Sequence, residues 1–533
     1  MIRSLLLLTL LSTLLAAQSA PAVKCGFSPH HQGEQLARLT SDRDFDYLEE
    51  SVLSPQGHFR IHFTRSGDHA VTGSSSPGTP VFILEAGIAA DSAYNLIINE
   101  LGFLPPLSDD GVDGDELDIY VVDMKKNYGV VVYGMTTFAS SFPTPYQGLS
   151  TYLEIDNDYV ESGFATHGLS ALRVTIAHEF FHMVQLRYAH PFWPFTTNRY
   201  WYEIVSTWME EKCYPDVNDY HAYVPDNFYK SSFPNLEDHS ADFRYSYGHG
   251  LFGQILDLEY GTSSGKHIML DIWEQLGERE ATANLEMVLE SSRWNSSLTD
   301  ALGKYALYNV FTGSRAIQGQ YYEDAQLLPE IRTDNEILPT DLPHTHEVLI
   351  EPRQMRYKRF ISNTTQRIYL LGEDLTPDQR VYLTKTEVGQ ESSLKGAVTN
   401  TWMSGGNLNP QDYMILPMVN GHASNSATFF LNFSATTSED APQIQSIIPN
   451  PGNLSLIADG QGVKANVVIP ESGKLIVNVF DIRGRMVSSQ SEYVEEGVHD
   501  VLLKMPPSLP AGLYIAQTML GNGTSTRKFT VLK

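Results

Sequence analysis

The sequence predicts an α+β chain of several domains, and three changes of texture along it carry that prediction. Between residues 53 and 335 short alternating runs give way to long helical patterns, which reads as a two-lobed α+β domain. From 336 to 436 the helical patterns stop. Short alternating runs such as Arg367–Leu371 and Thr428–Phe433, broken by Gly, Asn, Pro and Ser, predict a β-sandwich. From 445 to 533 the same texture, with denser turns, predicts a second and smaller sandwich; Ala435–Pro442 reads as the linker. A chain of 533 residues has room for that many cores.

The N-terminus stands apart. Met1-Ile-Arg3, a Leu-rich run to Leu15 and Ala16-Ala-Gln-Ser-Ala20 have the charged, apolar and small-residue sections of a signal peptide, assigned to 1–19. This predicts an exported protein. Residues 20–52 are polar and without clear period, as in a leader or propeptide. No later stretch reads as long enough to span a membrane. The net charge of −27 argues against nucleic acid as a partner, because phosphate contacts need excess Lys and Arg.

Within the α+β domain a strand is expected near His58–Thr64, a loop over Gly73–Pro80 and a helix over 81–102. The loop Asp109–Glu116 is rich in carboxylates and Gly, which suits either Ca2+ or a solvated turn; it lacks the twelfth-position Glu of an EF-hand. Strands follow at Leu117–Asp123 and Tyr152–Asp158. Residues 234–333 read as largely helical, with Trp273, Leu276, Tyr305 and Tyr308 as core residues of a second lobe.

The chemistry concentrates in His178-Glu-Phe-Phe-His182. Ala171–Ala177 and Met183–Arg187 extend the helix on either side, and Pro191 and Pro194 limit it. Residues four apart share a helix face, so both imidazoles can reach one metal, with Glu179 beside it to handle a proton. A catalytic zinc takes a third protein ligand and leaves one position for water. The second helix, Arg199–Lys212, has an apolar stripe of Trp201, Ile204, Val205 and Trp208. Glu203 and Glu210, seven apart, lie off that stripe.

This pattern resembles the gluzincins, zinc peptidases whose third ligand is a Glu on the helix after H-E-x-x-H. It departs from the metzincins: Gln185 and Tyr188 stand where those have Gly and His, and His190 lies two residues too far on. The resemblance implies a zincin-like domain in which His178, His182 and Glu203 bind Zn2+ and Glu179 is general base and then acid. It implies a supporting role for Glu210 and an oxyanion donor from Tyr245–Phe252, either Tyr247 or His249, with Tyr247 preferred. By the same analogy the Tyr152–Asp158 strand is an edge strand that aligns an extended protein or peptide substrate. A surface binding protein on the same fold is the competing reading. Glu179 separates the two, since a structural zinc has no need of it.

Cys25 and Cys213 are the only cysteines. In an exported chain they suggest a disulfide. Val23-Lys-Cys-Gly-Phe27 also resembles the cysteine switch of some zinc proteases, in which a leader thiolate closes the metal. Two separate thiols are the third reading.

The last segment contains Pro449-Asn-Pro-Gly452, an Asp481-Ile-Arg-Gly-Arg485 hairpin, Leu509-Pro-Ala-Gly-Leu-Tyr514 and a basic final strand at Lys528–Lys533. In that order these resemble the immunoglobulin-like C-terminal sorting domain of the type IX secretion system. The resemblance implies the type IX machinery as partner, passage through the periplasm, and a secreted or outer-surface product. His58–His62, Ile155–Asp158, Glu203–Glu210, Gly313 and Tyr321-Tyr322 are similar to secreted metallopeptidases that carry this tail.

Overall fold

The computed structural model describes residues 23–25, 45 and 47–435, except for 76, 108–110, 112, 139–147, 189–194, 239–243, 339, 341–343, 374–377, 387–393 and 399–401. From 455 onward it describes the strands and Arg485. The chain is α+β and multidomain.

A mixed six-stranded sheet comes first: β1 (Val23–Cys25), β2 (Glu50–Leu53), β3 (Phe59–Phe63), β4 (Leu117–Val122), β5 (Val132–Phe138) and β6 (Thr151–Asp156), in the order β1-β5-β6-β4-β3-β2. Strands β3, β4 and β6 are parallel, and β5 is antiparallel to β6. Alternation along β4 sends Ile119 and Val121 into the main core, and Tyr120 and Val122 into a smaller cluster with Leu48, Met124 and Tyr152. Both faces are covered, so β4 and β6 are buried throughout. The sequence reading of Tyr152–Asp158 as an edge strand is therefore corrected. Strand β6 lies between β5 and β4, and the edge beside the site belongs to β5, which carries β1 on its outer side.

The helix expected over 81–102 is Val81–Tyr94, continued by a wider π-helical turn at Asn95–Glu100 and closed at Gly102, whose φ of 82° suits glycine. Val81–Glu100 is apolar and long enough to cross a membrane, contrary to the sequence reading. Its Phe82, Ile83, Ala86, Ala90 and Ala93 lie in the main core, and its buried Asp91 accepts hydrogen bonds from Ser54 Oγ and the Gln56 amide. The motif helix, Gly168–Arg187, is buried continuously from Ala171 to Leu186 except at Arg173, as expected of a helix without a strongly polar face.

The second helix spans Phe195–Cys213 and buries Trp201, Ile204, Val205 and Trp208, as its stripe predicts. Helices at Gly250–Glu259, Ile268–Leu276, Ala281–Glu290 and Leu298–Val310 complete this side. Trp273, Leu276 and Tyr305 are buried among them, and Tyr308 is half-buried. One apolar core joins sheet and helices, from Phe59 through Trp208 to Val310.

A four-stranded and a five-stranded sheet, between Asp334 and Ala435, share a core of Val348, Phe360, Leu416, Phe429, Leu431 and Phe433. Their outer face meets the Leu298–Val310 helix through Tyr357 and Tyr382. Past 455 the strands form sheets of three and four, and Asp481 closes its hairpin by accepting the Arg485 amide at 3.0 Å. The expected linker and Pro449–Gly452 lie outside the described residues.

Gly253 lets its helix meet the second helix closely. A β-carbon there would lie 2.5 Å from Trp208 Cβ. Gly253→Ala should cost about 1–3 kcal/mol by overpacking, read as a lower urea midpoint with unchanged slope. An unchanged midpoint would show that the two helices can separate freely.

Candidate metal centre

Four turns of the motif helix bring His178, Glu179 and His182 between the middle of β5 and the second helix. All three are buried, as are Glu203 and Glu210. One donor atom each from Cys25, His178, His182 and Glu203 can be chosen so that all lie within 4.8 Å of one another. The three sequence-predicted ligands are thus together, and the leader cysteine has joined them.

Hydrogen bonding on the far side of each ring fixes which nitrogen faces the group. His178 Nδ1 donates to Glu210 Oε1 at 2.7 Å. His182 Nδ1 donates to Gln185 Oε1 at 2.7 Å, and Gln185 is oriented by donating to the Tyr202 carbonyl and Ser206 Oγ, each at 3.2 Å. With Nδ1 committed as donor, the Nε2 lone pair of each ring points inward. The two Nε2 atoms are 3.1 Å apart, and Glu203 Oε2 lies 3.2 Å from one and 3.5 Å from the other. Lone pairs so close need a cation between them or a proton on one ring. Two ligands of a tetrahedral zinc at its usual bond lengths lie about 3.3 Å apart, so the donor set and its spacing fit that ion.

The electrostatics agree. Burial disfavours charge on His178, yet its hydrogen bonds to Glu203 and Glu210 outweigh this and raise its pKa to about 10. Burial would push Glu203 up, but His182 and His178 pull it down to about 2. The pocket is a sink for positive charge.

Glu179 sits at its rim. Thr136 Oγ1 lies 2.8 Å from Glu179 Oε2, while Oε1 is buried without a hydrogen-bond partner. Burial raises the Glu179 pKa. Tyr247 is fully buried, and its hydroxyl accepts the Cys25 amide at 3.2 Å. His249 faces elsewhere, 3.1 Å from Tyr305 Oη. Of the two candidate oxyanion donors, then, the structure brings Tyr247 to the group.

Cys25 and Cys213 are separate thiols, so the disulfide expectation is corrected. Cys25 Sγ is 3.5 Å from Glu179 Oε2, and Cys213 ends the second helix. Arg199 was read only as the start of that helix. It is buried four residues before Glu203, with Nη2 3.9 Å from Glu203 Oε1. Its spacing is the one signal that could have found it. Gln185, three residues after His182 on the same helix, carries the same kind of spacing signal; Thr136, Lys24 and Asp219 were missed because only the tertiary fold brings them in.

The acidic loop is partly outside the described residues, including Asp109 and Asp110. Its Glu116 pairs with Arg60. A second acidic group, Asp156, Asp158 and Glu161, lies at the end of β6, but Asp156 Oδ1 already accepts the Asp158 and Tyr159 amides.

No family model matches the chain, and no curated protein matches it. Solved structures give faint likenesses. PliG, a periplasmic lysozyme inhibitor from Salmonella Typhimurium, is 10% identical over 19% of this chain and 98% of its own, with a TM-score of 0.14. A β-glucuronidase from Ruminococcus gnavus is 10% identical over 33% of this chain and 35% of its own, with a TM-score of 0.13. A glycosyl hydrolase family 2 member from Bacteroides cellulosilyticus is 10% identical over 33% and 28%, with a TM-score of 0.14. At these scores the likenesses carry no functional argument.

The Gln185 contact makes a prediction. Gln185→Leu should weaken metal affinity by about 10–100-fold while leaving the fold intact, measured by competition with a chromogenic chelator. Unchanged affinity would mean that His182 needs no orienting partner.

Proposed function

We propose that the chain is a secreted, zinc-dependent endopeptidase with a zincin-like catalytic domain. The observation that carries this reading is the pair of inward Nε2 atoms, with Glu203 completing the set and Glu179 beside it. His178, His182 and Glu203 would hold Zn2+. The ion, when bound, supplies Lewis acidity to a peptide carbonyl and acidifies its own water.

The protein's own groups account for the rest. Glu179 has one oxygen held by Thr136 and one without a partner, so it can accept a proton from water and return it to the leaving amine. Burial makes it a stronger base than an exposed carboxylate. Tyr247 Oη, within hydrogen-bond reach of a main chain crossing the site, is suited to donate to the oxygen that gains charge. The outer edge of β5 offers main-chain partners to an extended peptide. The residues supporting a type IX sorting domain give the export route and the secretion machinery as partner.

Glu179→Gln should bind one zinc per chain, as wild type does, and cleave unfolded casein at least about 100-fold more slowly. Chelation should abolish wild-type cleavage and zinc should restore it. Both are measured on chain freed of its leader, with metal quantified in parallel. Equal cleavage by Glu179→Gln would sink the reading, as would a chain that binds no zinc.

A further inference from the structure

Strand β1 is three residues long, and its Lys24 and Cys25 are both buried. It runs parallel to β5, with Val23 opposite Val132 and Cys25 opposite Gly134. Cys25 meets the metal group on one side of this strand. Lys24 turns away into a closed pocket of its own and is 3% exposed. There its ammonium pairs with Glu210 Oε2 and, at 2.6 Å, with Asp219 Oδ2. The Tyr223 ring lies 5.4 Å from Nζ, and Tyr133 Oη, from β5, donates to Asp219 Oδ1 at 3.0 Å. A small cavity of about 10 Å³ adjoins the lysine, bounded by Tyr133, Thr175, His178, Glu179 and Glu210.

Two carboxylates buried side by side need a cation, and removing one partner of a buried pair is severely unfavourable. The main part of the fold supplies the carboxylates and the pocket walls. The body of the fold also sets the His178 ring on Glu210, but among the described residues the ammonium that bridges Glu210 and Asp219 comes from the short N-terminal segment. An extended chain on the edge of β5 therefore places one residue at the metal group and the side chain of its neighbour in an acidic pocket.

We propose that Glu210 and Asp219 form a substrate subsite for a lysine or arginine side chain next to the cleaved bond, and that Val23–Cys25 is a tethered occupant that blocks the cleft in the latent protein. This rests on the peptidase reading for the word substrate, but not for the pocket's demand for a cation. Cys25 closes the metal group while Lys24 fills the subsite, so the leader is retained by two separate anchors. Aliphatic residues of similar length leave the two carboxylates uncompensated, and an acidic residue adds a third.

The test uses the full chain with a recognition site for an unrelated protease inserted after Gly33, in the Glu179→Gln background. After nicking, retention of the leader fragment is followed by gel filtration and by exchange with a labelled copy. Wild-type and Lys24→Arg fragments should stay bound. Lys24→Met should bind at least about 100-fold more weakly, and Asp219→Asn in the body of the chain should weaken the wild-type fragment. Equal retention of Lys24→Met and wild type, or no retention of either, overturns the proposal. In a second arm, nicked chain with Glu179 intact and its leader washed away is given a peptide library. Cleavage flanked by Lys or Arg supports the subsite, and cleavage indifferent to basic residues overturns it. Lys24-dependent retention with no cleavage at all would sink the peptidase reading while supporting the basic pocket.

Discussion

The clamping of His178 between two carboxylates is the interaction on which the rest of the site depends. Glu203 reaches Nε2 and Glu210 reaches Nδ1, so one imidazole bridges two positions of the second helix seven residues apart. Seven residues are about two turns, or about 10 Å of helix. The ring therefore fixes how the two helices sit along one another. Slipping either helix by a turn would leave a buried carboxylate with no partner, at a cost of several kcal/mol. A buried charge is tolerated only where its partners are fixed, and here each partner is itself held: Gln185 by Tyr202 and Ser206, Glu203 by the imidazoles, Glu179 by Thr136.

The sheet is locked to this arrangement through the absence of a side chain. A β-carbon on Gly134 would lie 2.8 Å from Thr175 Cγ2 and 3.1 Å from Glu179 Cγ. Glycine there lets β5 lie directly on the motif helix, and Thr136, two residues on and on the same face, can then reach the Glu179 carboxylate. Strand β5, Glu179 and the motif helix are thus packed as one unit. On the peptidase reading, this would hold Glu179 at a fixed spacing from the main-chain groups of β5.

Much of this was legible in the sequence because it is local. The i, i+4 histidines, the apolar stripe of the second helix and the offset of Glu203 and Glu210 from it are all set by helix geometry. Strand β5 was not legible: Val132-Tyr-Gly-Met-Thr-Thr-Phe138 has a glycine at its third position and weak alternation. Its propensity is spent on the close approach to the helix. The edge position was assigned to β6 because strand order is a tertiary property, and burial on both faces of β6 revealed the error. Pairing Cys25 with Cys213 followed from an even count in an exported chain, a rule blind to distance. The acidic pocket was invisible for a related reason. Lys24, Glu210 and Asp219 come from three separate segments, and none is unusual in its own surroundings.

Glu210 ties the pocket to the metal group. One of its oxygens accepts from His178 Nδ1 and the other pairs with a lysine ammonium. Charge drawn toward that ammonium is charge withheld from the imidazole. A cation in the pocket thus makes His178 a weaker donor to whatever its Nε2 binds, and an empty pocket makes it a stronger one. A metal ion that receives less charge from its imidazoles would be a stronger Lewis acid. On the peptidase reading, a basic side chain in the pocket would therefore sharpen the same centre that it helps to position, whereas the leader fills the pocket with Lys24 while its Cys25 thiol takes a place in the metal group.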